Sequence, residues 1–235
     1  MTDDKSLFSK EPVAASRLNI IFEAAVFTSL AVAVLSLFLF AWIGDSVAHQ
    51  RTAGFDLAIR NYVHAFATPA LDKTMVLISF LGGNGLTAAV IISVIAFRWL
   101  HWQRAMLWMV VTIVGALVLD LSLKYAFHRH RPTPFFVPVP HTYSFPSGHS
   151  LFSFCFYGVL AGLLTRRLRS RLARVLIWTF AALLVAAIGL SRIYLGVHYP
   201  SDVIAGYLAA SLWVSTLVAL DRVRVQRKNS SAPED

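Results

Sequence analysis

Three polar stretches interrupt an otherwise apolar chain: KYAFHRHRP from Lys124 to Pro132, FPSGHS from Phe145 to Ser150, and SRIYLGVHYPSD from Ser191 to Asp202. They hold the cations Lys124, Arg131 and Arg192, the histidines His149 and His198, and the carboxylate Asp202. This set suits phosphoryl transfer. A phosphoryl group in transit spreads negative charge over three equatorial oxygens, so catalysis is mostly positioning plus electrostatic stabilisation. Arg131 and Arg192 each present a planar fork to two oxygens, and Lys124 adds a point charge. In Pro146-Ser147-Gly148-His149, the proline suits the first position of a helix and Gly148 permits close backbone approach. The free N–H groups of such a helix start form an anion site, to which the Ser147 hydroxyl adds a donor. His149 follows at once, placed to protonate a leaving oxygen. Pro200 is expected in the first turn of a helix, with His198 just before it and Asp202 inside that turn. A carboxylate there accepts from one imidazole nitrogen, fixes the tautomer and leaves the other nitrogen free to attack phosphorus. Gly196 allows a bend; an unbroken helix would set Arg192 and His198 about 240° apart.

Each stretch alone has a duller explanation. Lys124 and Arg131 read equally as snorkelling interface anchors, PSGH as a turn ahead of a helix, and His198 with Asp202 as a capping pair. Their convergence on one side of a membrane decides for function, since ionisable groups within membrane helices mark functional sites by default.

The elements that must position these residues follow from composition. The chain has 235 residues, 57% hydrophobic and 14% charged, with a mean hydropathy of +0.64. Soluble domains carry roughly 25% charged residues. This is the profile of an integral membrane protein with one helical domain. Runs approaching the about 20 apolar residues of a span occur at Ile20–Ile43, Thr74–Phe97, Ala105–Leu123, Ser150–Thr165, Val175–Leu190 and Val203–Leu220. The first is too long for a signal peptide, and the 19-residue tail before it also argues for a retained helix. The division is therefore residues 1–19 as an N-terminal tail, 20–220 as the six-span domain and 221–235 as a C-terminal tail, ending in a disordered RKNSSAPED.

With the N-terminus cytoplasmic, one side collects Lys5, Lys10, Arg17, Arg98, Arg104, Arg166, Arg167, Arg169, Arg171, Arg174, Arg222, Arg224, Arg227 and Lys228. The positive-inside rule makes that side the cytoplasm and puts both termini there. All three polar stretches then emerge on the opposite, exterior or periplasmic face, in what reads as a bacterial inner (plasma) membrane. The net charge of +9 belongs to topology anchors and anionic headgroups, and nucleic acid is excluded as a partner. The single cysteine, Cys155, is expected as a small buried hydrophobe.

Several further features carry expectations. FDLAIRNYVHAFATPALD, residues 55–72, reads as an amphipathic helix, either lying in the interface or packed as a loop helix. Asp120, one turn before Lys124, pairs with it or makes a separate polar contact inside the bundle. Glu23 reads as an interface residue. His128 and His130 face one way on an extended strand, but no third metal ligand is evident; they line the pocket mouth or meet headgroups. Leu81–Gly85, LGGNG, permits close packing or a kink in the second span, with a pocket role as the alternative. The loop 133–145, with His141 and its prolines, is expected to cover the entrance and tune substrate choice.

Lys124, six residues, Arg131-Pro132; Pro146-Ser147-Gly148-His149; Ser191-Arg192, five residues, His198, three residues, Asp202: this chain resembles the type 2 phosphatidic acid phosphatase superfamily, which includes lipid phosphate phosphatases and vanadium haloperoxidases. All three signature motifs are complete, spanning residues 124–202. The resemblance implies an all-α polytopic fold with six transmembrane helices around that superfamily's helical bundle. It implies His198 as the nucleophile of a phosphohistidine intermediate, Asp202 as its orienting partner and His149 as general acid. Lys124, Arg131, Ser147, Gly148 and Arg192 would hold the phosphate. It implies no cofactor and no metal. The haloperoxidases are soluble, so six spans argue against that activity. The expected function is hydrolysis of a phosphomonoester or terminal diphosphate on a membrane lipid: phosphatidate, phosphatidylglycerophosphate, undecaprenyl diphosphate or a lipid A phosphate. The rival is a phosphotransferase delivering the same phosphoryl group to another lipid, and the remote alternative a silent lipid-binding transporter or scaffold.

Overall fold

In the computed structural model the backbone is described for residues 11–136, 138 and 142–230. Side chains are described between Glu23 and Gln226, apart from residues 137 and 139–141. The expectations for Lys5, Lys10, Arg17, His141, Arg227 and Lys228 fall outside the described side chains. The described residues form eight helices: α1 (Glu11–Ala48), α2 (Ala53–His64), α3 (Pro69–Phe80), α4 (Asn84–Trp99), α5 (Gln103–Phe127), α6 (Gly148–Thr165), α7 (Arg171–Tyr194) and α8 (Pro200–Ser230). Six stretches are long and apolar enough to cross a membrane, α3 and α4 together making one of them.

The second span is therefore broken within the run Thr74–Phe97. α3 ends at Phe80, and Gly82 and Gly83 donate to the carbonyls three residues back, at Ser79 and Phe80. That tight turn runs over Leu81–Gly83, so LGGNG interrupts the span. The helix drawn over 55–72 is likewise divided. Thr68 is extended, as the residue before Pro69 must be, and its hydroxyl caps α3 at the Leu71 N–H, 3.3 Å away. α8 runs on to Ser230, into the segment expected as a disordered tail; no glycine or proline follows Gly206 before Pro233 to stop it.

α6 is the central helix. It is 44% buried, against 17–33% for the other five spans, and packs on α4, α5, α7 and α8. Its 18 residues span about 27 Å, a little short of the about 30 Å hydrocarbon layer and at the short end of membrane spans, and Cys155 lies buried within it. α1 lies along α8, with the Ser36 hydroxyl donating to Ser211 at 3.0 Å. Its other side, with Phe27, Val34, Phe38 and Trp42, is exposed, as a face in contact with lipid tails requires. α2 has its faces sorted the same way: Phe55, Leu57 and Tyr62 point outward while Asp56 and Arg60 are buried.

The C-terminus of α5, the N-termini of α6 and α8 and the C-termini of α1 and α7 share one end of the bundle. Gly44 near the end of α1 packs against Phe127 at the end of α5. The other end holds Arg104, one guanidinium nitrogen of which donates to both oxygens of Asp221 (2.7 and 2.8 Å), and Arg167 stacked 3.4 Å above the Trp102 ring.

Candidate active site

The local sequence around His198 builds its own scaffold. Pro200 opens α8 at N1, where its missing N–H costs nothing. Asp202, at N3, reaches back to accept the N–H of Tyr199 at 2.9 Å, while the Asp202 N–H donates to the Tyr199 carbonyl at 3.0 Å. This is the acidic half of a capping box. It leaves Asp202 fully buried and within 3.3 Å of Nδ1 of His198. On the α7 side, Gly196 turns the chain at φ +74°, with the Phe135 ring filling the space where a side chain would stand.

His198 is itself 1% exposed, and its two nitrogens meet different partners. Asp202 can only accept and an arginine can only donate. Nδ1 therefore carries the proton toward Asp202, and Nε2, 3.0 Å from a guanidinium nitrogen of Arg131, keeps its lone pair. Arg131 is held on this line by the carbonyls of Thr142, Val197 and Tyr143 and the hydroxyl of Thr142. Burial pushes the His198 pKa down to about 3; Asp202 opposes the fall and the charges of Arg131 and Arg192 add to it. The ring is neutral at physiological pH, the state a nitrogen nucleophile needs.

Arg131 meets this nitrogen, and the charge of Arg192 also reaches the ring. Lys124 is buried and ion-paired to Asp120, so of the two expectations for Asp120 the pair is the one present. The start of α6 rests on that pair: a side chain at Gly148 would stand 3.1 Å from Asp120 Oδ1 and 3.3 Å from Lys124 Nζ. Arg192, 8% exposed, donates to the Ser79 hydroxyl from α3. Among the described residues, neither Arg131 nor Arg192 has a carboxylate in salt-bridge range. Ser147 is fully buried and its hydroxyl has no partner among the described residues. Its N–H donates to the Asp202 carbonyl at 2.9 Å, which fastens the α6 start to α8. This fastening moves Pro146 from its expected place. Ser147 is the N-cap and α6 begins at Gly148, so Pro146 lies ahead of the helix beside the buried Phe145. His149, in the first turn of α6, lies against the bare backbone of Gly82 and Gly83 at the break in the second span. His128 ends α5 in a left-handed conformation with its ring on Tyr143; it and His130 are exposed.

All eight residues singled out in the sequence stand at this end of the bundle. Four others there were not foreseen. Arg129 bridges Asp202 and Asp56 (2.6 and 2.7 Å), and Ser144 donates its hydroxyl to Asp202. Ser79 receives Arg192. For Arg129 and Asp56 a signal existed: Arg129 sits two residues before Arg131 on the same side of an extended segment, and Asp56 is the one carboxylate of α2, a turn before Arg60. Ser79 and Ser144 leave no such trace.

A six-span helical bundle that gathers these three motifs at one end has the fold of the helical membrane phosphatases. The chain belongs to the PAP2 superfamily, whose family model matches residues 105–225. It is 30% identical over 180 residues to phosphatidylglycerophosphatase B of Bacillus subtilis, covering 74% of this chain and 87% of that protein. It is 34% identical over 214 residues to a lipid A 1-phosphatase of Rhizobium johnstonii, covering 84% and 80% of the two chains. The crystal structure of the PAP2-type phosphatidylglycerolphosphate phosphatase of B. subtilis superposes with a TM-score of 0.75 at 25% identity, over 83% of this chain and 98% of that one.

Proposed function

We propose that the protein is an integral-membrane lipid phosphatase acting through a phosphohistidine at His198. The observation that carries this reading is the paired environment of that ring. Asp202 accepts the Nδ1–H, and the Nε2 lone pair points into the side where Arg131 and Arg192 stand with no carboxylate among the described residues in salt-bridge range. Nε2 attacks phosphorus, the bond to the leaving oxygen breaks, and His149 gives that oxygen a proton. Water, deprotonated by the now neutral His149, then cleaves the N–P bond and releases inorganic phosphate. Lys124, Arg131, Arg192, Ser147 and the backbone N–H groups at Gly148 hold the phosphate oxygens throughout. The basic residues at the far end support a cytoplasmic placement of both termini, with the site on the exterior or periplasmic face at headgroup height. The substrate class is a lipid phosphomonoester or terminal diphosphate, in keeping with the phosphatidylglycerophosphate and lipid A enzymes to which the chain is similar.

The test is phosphate release in detergent from phosphatidate, phosphatidylglycerophosphate, undecaprenyl diphosphate and lipid A, without an acceptor lipid and with EDTA present. Release from at least one, lost in His198→Ala together with acid-labile labelling of the protein, is expected. Turnover surviving in His198→Ala sinks the nucleophile assignment. Release only on adding a second lipid identifies a phosphotransferase instead.

A further inference from the structure

Behind His198 lies a charged chain that its reaction does not visibly require. Asp56, on α2, is 1% exposed. One of its oxygens accepts the Ser201 N–H at 2.9 Å; the other accepts the Ser201 hydroxyl at 2.7 Å and Arg129 at 2.7 Å. The second arm of Arg129 donates to Asp202 at 2.6 Å and to Ser201 at 2.8 Å. Its guanidinium also lies 4.2 Å above the Tyr199 ring. Asp202 thus receives His198, Ser144, the Tyr199 N–H and Arg129 together. Burying two carboxylates and an arginine this deeply is expensive unless every charge is matched, and a hydrophobic contact between α2 and α8 would serve packing as well. α2 also lies outside residues 105–225, where the family model matches.

We propose that Asp56 and Arg129 are positioning residues for the His198 nucleophile, with Arg129 dividing its charge between Asp56 and Asp202 and so setting how strongly Asp202 holds the imidazole. This rests on the phosphohistidine reading above. Asp56 anchors one fork of the guanidinium, so the other meets Asp202 at a fixed place and strength. Burial lowers the Arg129 pKa, but Asp202 and Asp56 more than offset it and leave it above its usual value; the bridge stays charged at any working pH. The other charged or titratable groups facing His198 are Asp202 of α8, Arg131 of the segment after α5, Arg192 of α7 and His149 of α6. All four stay in place as residues when Asp56 or Arg129 is changed, and of them only Asp202 bonds Arg129 directly.

Two isosteric changes then act in opposite directions. In Asp56→Asn, Arg129 leans wholly on Asp202 and draws its charge from the ring, so the acid limb of kcat/KM moves to lower pH. In Arg129→Gln, Asp202 keeps its full charge for the ring and the limb moves to higher pH. Both lower kcat by about 10- to 100-fold, the scale of a lost charge-assisted hydrogen bond, with KM nearly unchanged. The double variant is no slower than Arg129→Gln alone, because the two residues act as a unit. The measurements are pH profiles of purified full-length protein with phosphatidate in detergent micelles, or with the most rapidly hydrolysed lipid of the panel above. Melting curves and His198→Ala run alongside. Limbs that stay in place, additive losses in the double variant, or a loss that only tracks the fraction folded overturn the proposal. Should neither isostere fold, Arg129→Lys decides: its ammonium meets one carboxylate at a time, so wild-type kcat overturns the proposal and a slow, normally melting enzyme supports it. Wild-type turnover independent of His198 removes the underlying reading and this proposal with it; His198-dependent turnover with unmoved limbs removes the proposal alone.

Discussion

Gly83 faces the imidazole of His149 so closely that a Cβ built on it would stand 2.9 Å from Nε2. Gly82 approaches the same ring from beside it, its missing Cβ 3.2 Å from Cδ2 and 2.4 Å from Ile188. The break in the second span thus gives the proposed general acid a wall of bare backbone.

Gly83→Ala is expected to push the ring off this line. A displacement of about 1 Å at a reacting group costs on the order of 100-fold in rate. Steady-state kinetics are expected to show kcat falling by about that much and KM by far less, with the melting temperature in detergent little changed. An unaltered kcat would mean that His149 needs no fixed position, and its assignment as acid would fail.

The Asp120–Lys124 pair makes a different prediction, about stability. Both side chains are buried, so removing one leaves an uncompensated charge, at a cost of about 3–5 kcal/mol, whereas removing both together is far milder. Asp120→Asn is expected to melt well below wild type, and Asp120→Asn with Lys124→Met to recover most of the difference. Both variants lose activity, the second because the phosphate loses a cation. Equal melting of the single and double variants would show that the pair contributes no coupling.

What was legible in the sequence divides along the distance between interacting residues. His198, Pro200 and Asp202 lie within five residues, so helix-start geometry alone predicts that the carboxylate faces the ring. Asp120 and Lys124 are one turn apart, and the six spans rest on run length. The break at Leu81–Gly83 was readable only as a choice, because what favours a turn there is the approach of His149, 66 residues later along the chain in the numbering. Asp56 reads locally as the polar face of an interfacial helix. Its meeting with Arg129 and Ser201 depends on how α2 docks on α8, which no local pattern encodes. Pro146 failed for a related reason: the Ser147 N–H is taken by Asp202, 55 residues on, and that bond decides where α6 starts.

Gly196 tests whether the bend ahead of His198 is required. At φ +74° any side chain is strained, by roughly 1–2 kcal/mol, and a Cβ there would lie 2.6 Å from the Phe135 ring and 3.0 Å from its backbone nitrogen. Gly196→Ala is expected to lower the melting temperature and also to cut kcat, because the same bend sets Arg192 against His198. A variant that melts early yet turns over at the wild-type rate would separate the bend from the chemistry.

The pH dependence follows from the His198 environment. Its pKa falls from 6.5 to about 3, first through burial, with Asp202 pulling it up and Arg131 and Arg192 pushing it further down. In the free enzyme the nucleophile is therefore already neutral at pH 6.5, and kcat/KM is expected to show no acid limb from His198 near that value. Stability behaves differently. Between pH 6.5 and about 3 the unfolded chain takes up a proton at this histidine that the folded chain refuses, so the unfolded state gains as the pH falls. The contribution is fully present above 6.5 and is lost progressively on the way down to about 3. Melting temperatures in detergent are expected to drop across this window, and the His198→Gln variant, which has no group to protonate there, to drop less. An acid limb in kcat/KM near 6.5 that disappears on mutating no other histidine would show that the ring titrates normally, and that its burial against Asp202 does not set its protonation.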